Sequence, residues 1–226
     1  MMQGLEKQMK YIKMMNLKKP AFTMLELVFV IVVLGILAAM ALPRFDRDLR
    51  QGAKDNILAA ISLTQHIALV DNQVDPTVNN WQKALWQIRF SNPGGEWLYT
   101  VASNSDYGTN IDQNESAIDP GNGKYMHSSN ASPADSDESP NIFLTKLYGI
   151  DTVTFNNCTG VSGSTAQHIA FDHLGRPHRG VTGSGSYDYR TLITNSDCII
   201  TFGFIDNSIT NLNITIARET GYVSGD

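Results

Sequence analysis

Cysteine and positive charge are both scarce in this sequence. Among 226 residues there are two cysteines, Cys158 and Cys198, and their spacing does not resemble a zinc site, which argues against a zinc-organised domain. Lys and Arg number 17 against 22 Asp and Glu, giving a net charge of −5. Because general nucleic-acid and anionic-membrane binders must neutralise phosphates with basic side chains, this balance disfavours both classes.

The sequence also lacks a nucleophile-elbow motif and paired histidine ligands. Asp172, His173 and Ser184 do supply the three residue types of a hydrolase triad, so an anchored hydrolase is kept as an alternative. A surface histidine with no catalytic role is the simpler interpretation of His173. We therefore expect no enzymatic activity.

One long apolar run is present, from Phe22 to Leu42, interrupted only by Thr23, Glu26 and Gly35. As a helix it would extend about 31 Å, enough to cross the hydrocarbon core of a bilayer. Residues 1–21 carry five lysines against one glutamate, and without them the net charge becomes −9. A basic flank stays in the cytoplasm, which predicts that the C-terminal part is exported.

A secretory signal peptide is the alternative interpretation of this run, because Ala38-Ala39-Met40-Ala41 offers a small-residue cleavage site. Glu26 argues against it, since a charge inside a membrane segment costs about 2.5–3.5 kcal/mol. The helical pattern also continues beyond Pro43 to near Asp71. Apolar or small residues recur there at three- and four-residue spacing: Phe45, Leu49, Ala53, Ile57, Ala60, Ile61, Thr64, Ile67 and Ala68.

The stretch Lys18 to Val28, KKPAFTMLELV, resembles the class III leader and N-methylation motif of type IV pilins and type II secretion pseudopilins. The resemblance implies that a prepilin peptidase cuts between Ala21 and Phe22 and that the new amine is methylated. Ala21 stands where the family usually has glycine, and alanine is the next smallest side chain. Met14 and Met15 are alternative starts to Met1.

The resemblance also implies how subunits assemble. Apolar helices bundle away from water, and Glu26 on one subunit neutralises the Phe22 amine of a neighbour, which sets register and offsets desolvation. Thr23 belongs to the same segment. Gly35 and Pro43 weaken the helix and favour local melting during assembly. The alternative for Glu26 is a glutamate tolerated near the membrane surface.

The expected location is the inner membrane, with a single pass and a periplasmic C-terminal domain, followed by a cell-surface pilus or a periplasmic pseudopilus. The expected partners are other pilin or pseudopilin subunits, the prepilin peptidase, the inner-membrane assembly platform and membrane lipid. We expect no cofactor, and DNA is not an expected partner. The sequence leaves open whether the filament is a pilus or a pseudopilus.

The expected fold class is α+β, with a long N-terminal helix, half anchor and half amphipathic, packed on a C-terminal antiparallel β-sheet. A short helix is predicted from Asn79 to Phe90, capped by Asn79 or Asn80. The predicted strands are Glu96–Ala102, Asp151–Phe155, Gln167–Phe171, Cys198–Ile205 and Leu212–Ile216. The division is leader 1–21, assembly helix 22–43, amphipathic helix 44–71, short helix and strand 72–102, polar insert 103–141 and β-rich head 142–226.

The insert 103–141 is a loop or disordered segment by composition. Its acidic residues raise a calcium site as an alternative to a solvated loop, although their spacing forms no recognised calcium motif. These acids include Asp106, Asp112, Glu115, Asp119, Asp135, Asp137 and Glu138. Asn114 lies in an Asn-Glu-Ser sequon preceded by Asp112, which makes it a candidate for N-glycosylation.

Three C-terminal stretches, 169–176, 198–202 and 214–223, are similar to the C-terminal half of the GspH/FimT group of minor pilins. This similarity favours a minor subunit. Some FimT-like minor pilins bind DNA through a basic surface, which makes DNA uptake an alternative function. The basic residues of this head that bear on it are His173, Arg176, His178, Arg179 and Arg190. The acidic balance of the head argues against that alternative.

The two cysteines both lie in the part expected outside the cytoplasm. An even pair in an oxidising compartment predicts one disulfide, Cys158 to Cys198, worth about 3–4 kcal/mol in the chain-entropy model. Two unpaired buried thiols are the alternative.

Overall fold

The computed structural model describes residues 23–108, 110–129, 136–158, 167–181 and 189–226. For residues 39–48 and 189 it describes the backbone only. The chain divides into two compact units, residues 1–43 and residues 44–226. The expected leader, residues 1–21, lies outside the described residues. The second unit contains both sheets and the hydrophobic core.

The long helix α1 spans Met24–Val70. In its later part, one face is buried at three- and four-residue intervals, which confirms the amphipathic pattern from Ala53 onward: Ala53, Ile57, Ala60, Ile61, Thr64 and Ala68. Leu49, which the pattern placed on the buried face, is 38% exposed. The Thr64 hydroxyl would be an unsatisfied polar group there, but it donates to the Ala60 carbonyl oxygen at 2.7 Å. Just beyond the helix, the Asp71 carboxylate accepts a hydrogen bond from Trp86 Nε1 at 2.8 Å.

The remaining elements are β1 Trp86–Ser91, β2 Leu98–Ala102, α2 Leu144–Tyr148, β3 Ile150–Asn156, β4 His168–Phe171, β5 Pro177–His178, β6 Cys198–Phe204, β7 Leu212–Ile216 and β8 Val223–Gly225. One sheet has the strand order β2-β1-β4-β5 and the other β3-β6-β7-β8. Each pair of neighbouring strands within the sheets is antiparallel. The α+β class is confirmed, but the strands form two sheets where the sequence predicted one.

The predicted helix from Asn79 to Phe90 is wrong. A single 3₁₀ turn, Trp81–Ala84, is followed at once by β1. Asn80 occupies the cap position with a φ of 66°, yet its side chain makes no capping bond. Strand β1 pairs on one side with β2 and on the other with β4, and this long-range pairing overrides the local helical spacing.

A shared hydrophobic core joins the buried face of α1 to residues of both sheets. Phe90 of the first sheet contacts Phe155 and Phe202 of the second in edge-on geometry, with ring centroids 6.0 and 5.4 Å apart. Such tilted aromatic pairs add to the stabilisation from area burial. The two sheets are therefore held through their inner faces rather than through strand pairing.

The described parts of the insert 103–141 form an ordered loop with short 3₁₀ turns and isolated bridges. Ala117 and Met126 are buried in the core. Their backbone extends the edge of β2, because Ala117 N donates to Val101 O at 2.8 Å and Val101 N donates to Met126 O at 3.0 Å. The insert therefore belongs to the folded head.

Candidate assembly segment and polar sites of the head

The start of α1 is organised by Thr23 and Glu26. The Glu26 backbone N–H donates to Thr23 Oγ1 at 3.2 Å, and Leu27 N donates to Thr23 O at 3.1 Å. Thr23 therefore caps the helix. The Glu26 carboxylate lies in the first turn, where the helix dipole favours negative charge.

The residues from Met24 to Ala38, here called the assembly segment, are all exposed. Met24 is 89% exposed and Phe29 is 69% exposed. An open groove of about 520 Å³ runs along one face, lined by Thr23, Leu25, Glu26, Val28, Phe29 and Val32. A helix that is apolar on every side is stable in water only when something covers it. The assembly segment is thus built for burial against groups outside its own helix.

Among the described residues, no helix combines the length and the apolar character that crossing a membrane requires. The membrane anchor stays a prediction.

The other predicted residues of this segment are placed as follows. Ala21 and Phe22 lie outside the described residues, so their cleavage and the pairing of the Phe22 amine with Glu26 stay predictions. Helix α1 continues through Pro43, whose side chain lies outside the described residues. At Gly35, an added Cβ would have no neighbour within 4 Å. Steric crowding therefore does not explain that glycine, and its helix-weakening role stays a prediction.

In the head, the turn between β4 and β5 is organised by the Asp172 carboxylate. Its Oδ1 accepts from the backbone N–H groups of Leu174 and Arg176 at 3.0 and 2.9 Å. Its Oδ2 lies 2.7 Å from Arg176 Nη2 and 3.3 Å from His178 Nε2. Burial tends to raise the pKa of Asp172, but the bonds from His178 and Arg176 outweigh it and hold that pKa well below its usual range.

The far side of the His178 ring completes the network, with Nδ1 2.8 Å from Thr191 Oγ1. Asp172, His178 and Thr191 are all 0% exposed. Hydroxyl, imidazole and carboxylate thus follow the order of a hydrolase triad, but no substrate can reach a fully buried hydroxyl. The network pins the hairpin.

The hydrolase alternative built on Asp172, His173 and Ser184 gains no support. The Asp172 carboxylate contacts Arg176 and His178. Ser184 lies outside the described residues. Sequence reasoning missed Thr191 because no local motif links it to His178, 13 residues away.

The structure separates the basic residues that the sequence suggested as DNA contacts. The Arg176 guanidinium is paired with Asp172 and His178 is buried. Arg179 and Arg190 instead line a polar pocket of about 270 Å³. DNA contact through this cluster stays a prediction, with Arg179 and Arg190 as the residues placed to make it.

The two cysteines form the predicted disulfide, with Cα atoms 5.1 Å apart and a sequence separation of 40. Both are buried. Cys158 lies just after β3 and Cys198 begins β6, and these strands are hydrogen-bonded neighbours. The bond therefore closes one end of the β3–β6 pair.

The type IV narrow pilus major component PilA5 of Thermus thermophilus is 34% identical to this chain over 105 residues, which are 45% of this chain and 84% of that protein. The chain belongs to the type IV pilin family. No protein-family model and no solved structure matches it. The pilin relationship suggests a structural protein, in agreement with the leader-like motif around Phe22.

The acidic residues of this pilin's insert serve as internal anchors. The Glu115 carboxylate accepts from the backbone N–H groups of Ser105 at 2.8 Å, Asp112 at 2.9 Å and Asp106 at 3.2 Å. Burial opposes ionisation of Glu115, but these bonds outweigh it and lower its pKa. With the carboxylate oxygens already taken by N–H donors, Glu115 fixes the loop.

Asp119 behaves in the same way. Its carboxylate accepts from Ser139 Oγ at 2.5 Å, Gly121 N at 2.8 Å and Asn141 Nδ2 at 2.9 Å. Within the described parts of the chain, no three His, Cys, Asp or Glu side chains are grouped to hold a metal ion. The calcium alternative therefore gains no support from these residues, and Asp135 lies outside them.

Asn114, the candidate glycosylation site of this pilin, is exposed in the 3₁₀ turn Gln113–Glu115. Ser116 of the sequon is buried, and its hydroxyl donates to Gln113 O at 2.6 Å. The asparagine is accessible to an attached glycan, while the serine is engaged by the fold. Glycosylation of Asn114 stays a prediction.

Proposed function

We propose that this pilin is a non-enzymatic structural subunit of a type IV pilus, cleaved before Phe22 and built into the filament through residues 22–43. The single observation that carries the proposal is that the assembly segment is exposed and apolar on all sides. Thr23 caps the start of its helix, and Glu26 lies in the first turn. The pilin relationship adds support, because the Thermus relative is named as a pilus component.

In the proposed filament, assembly segments from several subunits cover one another and exclude water. The Glu26 carboxylate then loses hydration and needs a partner, which the methylated Phe22 amine of a neighbour supplies. Because the pair forms only at one axial offset, it also sets the register between subunits. Thr23 keeps the first turn of the helix formed, so that the carboxylate is held at the helix start.

Before assembly, the subunit is an inner-membrane protein with its head in the periplasm. Residues 22–43 contact lipid, the prepilin peptidase trims and methylates the N-terminus, and the assembly platform then transfers the subunit into the filament. A type II secretion pseudopilus uses the same kind of anchor and is the nearest alternative. The name of the relative favours a pilus.

Whether the subunit is major or minor decides its place in that filament. The C-terminal similarity to the GspH/FimT group favours a minor subunit, whereas the relative is named as a major component. Purified filaments with a counted stoichiometry separate the two. A DNA-binding minor pilin is the second candidate, and it depends on Arg179 and Arg190 at the polar pocket.

Mass spectrometry of the mature N-terminus tests the processing step. We expect the chain to begin at Phe22, and Ala21→Gly to be cut as well or better because the peptidase site takes a small residue. Ala21→Leu is the matched control and should block cleavage. A chain beginning after Ala39 or Ala41 would indicate an ordinary secretory signal and would remove the assembly proposal.

A further inference from the structure

Asn122 and Gly123 form the single Asn-Gly pair in this sequence. In such a pair the Gly123 backbone nitrogen can attack Cγ of Asn122 and lose its proton, and ammonia leaves to give a cyclic imide. Water then opens the ring, and the asparagine becomes an aspartate or an isoaspartate. Glycine has no side chain to hinder the attack. The pair is therefore the position in this chain with the least steric hindrance to deamidation.

Solvent reaches this position in the folded head. Asn122 and Gly123 are both exposed, and a Cβ added at Gly123 would have no neighbour within 4 Å. Gly123 has a φ of 73°, a conformation that suits glycine, and it follows a tight turn in which Asn122 N donates to Asp119 O at 3.3 Å. Burial and crowding therefore do not prevent the reaction.

Hydrogen bonds hold both reacting groups instead. The Gly123 N–H, which would supply the nucleophile, donates to Asp119 O at 2.8 Å. The Asn122 amide, which would receive the attack, donates from Nδ2 to Ser139 Oγ at 2.9 Å and to Asp119 Oδ2 at 3.0 Å. Its Oδ1 accepts from Lys124 N at 2.9 Å. Because the nitrogen and Cγ must meet in an aligned geometry to react, these bonds have to break first.

A hairpin and a neighbouring segment of the insert meet at this point. Asp119 N donates to Lys124 O at 2.7 Å and closes the hairpin, and Ser139 N of the neighbouring segment donates to Tyr125 O at 2.8 Å. The Asp119 carboxylate spans the junction, since its Oδ2 accepts from Asn122 on one side and from Ser139 on the other. Asp119, Asn122 and Ser139, here called the latch, therefore hold the two parts together.

We propose that Asn122 is a deamidation site controlled by the latch, and that its deamidation opens the insert. The product carboxylate has no N–H to donate, and it stands against the Asp119 carboxylate, whose donors among the described residues are all neutral. Two adjacent carboxylates without a cation repel each other. The reaction consumes only water and releases ammonia, so the change is permanent. This proposal depends on the fold of the head and is independent of the pilus function.

Peptide mass spectrometry of the full-length chain in detergent, incubated at neutral pH, measures the deamidated fraction at Asn122 over time. We expect the native chain to deamidate there about tenfold or more slowly than the same chain unfolded in guanidinium chloride, because local opening must precede the reaction. Ser139→Ala removes an acceptor from the Asn122 amide and a donor from Asp119. It should raise the rate in the native chain about tenfold.

Ser105→Ala is the matched control, because it removes a serine hydroxyl from the insert's other carboxylate anchor, Glu115, at 3.1 Å. It should leave the rate unchanged. If Ser139→Ala does not fold, Asn141→Ala is the second variant, since it removes another donor to Asp119, at 2.9 Å, and should also raise the rate. A native rate equal to the unfolded rate, a folded latch variant within about twofold of the native rate, or equal acceleration by Ser105→Ala would overturn the proposal.

Hydrogen exchange of Asn122→Asp tests the consequence of the reaction. Asn122→Ala is its control, because it removes the same side-chain hydrogen bonds without adding a charge. The Ser139 N–H, which joins the hairpin to the neighbouring segment, should exchange about tenfold or more faster in Asn122→Asp than in Asn122→Ala at neutral pH. Equal exchange in the two variants would mean that deamidation leaves the insert closed, and the proposed opening would be wrong.

Discussion

Two stretches of helix α1 use similar aliphatic side chains and have opposite environments. From Met24 to Ala38 every residue is exposed, and Ile31 is 57% exposed. In the later stretch, Ile57 and Ile61 are 0% exposed. The difference lies in the pattern: the first stretch is apolar on all sides, whereas the second alternates a buried stripe with polar residues.

This comparison assigns different physical roles to one helix. Burying an isoleucine side chain contributes roughly 1.5–3 kcal/mol, so the later stretch stabilises the head directly. The assembly segment gains nothing comparable until partners cover it. Changes in the assembly segment should therefore alter assembly without altering folding, and changes in the later stretch should do the reverse.

The largest expected effect is at Glu26. In Glu26→Ala and Glu26→Gln, a neighbour's amine would be left unpaired in a low-dielectric bundle, a loss of about 3–5 kcal/mol. In competition with the native subunit, incorporation into filaments should fall about a hundredfold or more. The thermal midpoint of the head should not change, because Glu26 is exposed on the described chain.

Thr23→Ala is the matched control for this prediction. It removes the helix cap, at a cost of about 0.5–2 kcal/mol, and retains the carboxylate, so it should reduce incorporation much less. A subunit at the tip has fewer neighbours and would tolerate Glu26→Ala better than one in the shaft. Incorporation of Glu26→Ala at the native stoichiometry would place the protein at the tip or remove Glu26 as the assembly contact.

The second effect belongs to the head alone. Replacing Cys158 and Cys198 together by serine should lower the free energy of unfolding by about 3–4 kcal/mol, since the bond closes a loop of 40 residues. Denaturant unfolding measures the change. Thiol labelling of both residues in the native, unreduced protein would show that the bond is absent and would contradict this prediction.

The third effect compares the same substitution in the two stretches of α1. Ile61→Ala should destabilise the head by about 3 kcal/mol, since it removes a fully buried side chain and leaves a cavity. Ile31→Ala should change head stability by less than about 0.5 kcal/mol. Urea unfolding of both variants tests this difference. Equal destabilisation would mean that the assembly segment is packed on the head.

The sequence pattern predicted the helix and strands whose positions depend on residues close together in the chain. The helical period placed the end of α1 near Asp71, and it ends at Val70. Strand β7 was predicted with its observed bounds, and β6 to within one residue. The stretch around Phe22 indicated the pilin family from a few residues, and the similarity to the Thermus pilin supports that family.

The parts that sequence reasoning missed depend on pairing between distant segments. Strand β5 has only two residues and exists because it pairs with Ala170 and Phe171 of β4. The Gln65 side chain appears solvent-facing in the helical pattern, yet its Nε2 donates to Gly175 O at 2.8 Å and so ties α1 to the β4–β5 turn. Thr191 contacts His178 only in the folded chain, because the two residues are 13 positions apart in sequence.

The smallest expected effect concerns the turn between β4 and β5, and it is measured as the dependence of the head's stability on pH. Asp172 has a pKa held below its ordinary value in the folded chain. A depressed carboxyl pKa contributes stability that is present above the unfolded value of about 4 and is lost as pH falls below it. The head should therefore lose stability on acidification, in part because Asp172 becomes protonated and releases Arg176 and His178.

Asp172→Asn isolates this contribution, because asparagine keeps the shape of the side chain and cannot ionise. At neutral pH the variant should be less stable by about 1–3 kcal/mol.

Between about pH 5 and pH 2 its unfolding free energy should fall less steeply than that of the native head. Glu115 and Asp119, whose pKa values are also lowered, are retained, so the slope should shrink without vanishing. Parallel pH curves for the two proteins would show that the Asp172 network does not stabilise the head through charge.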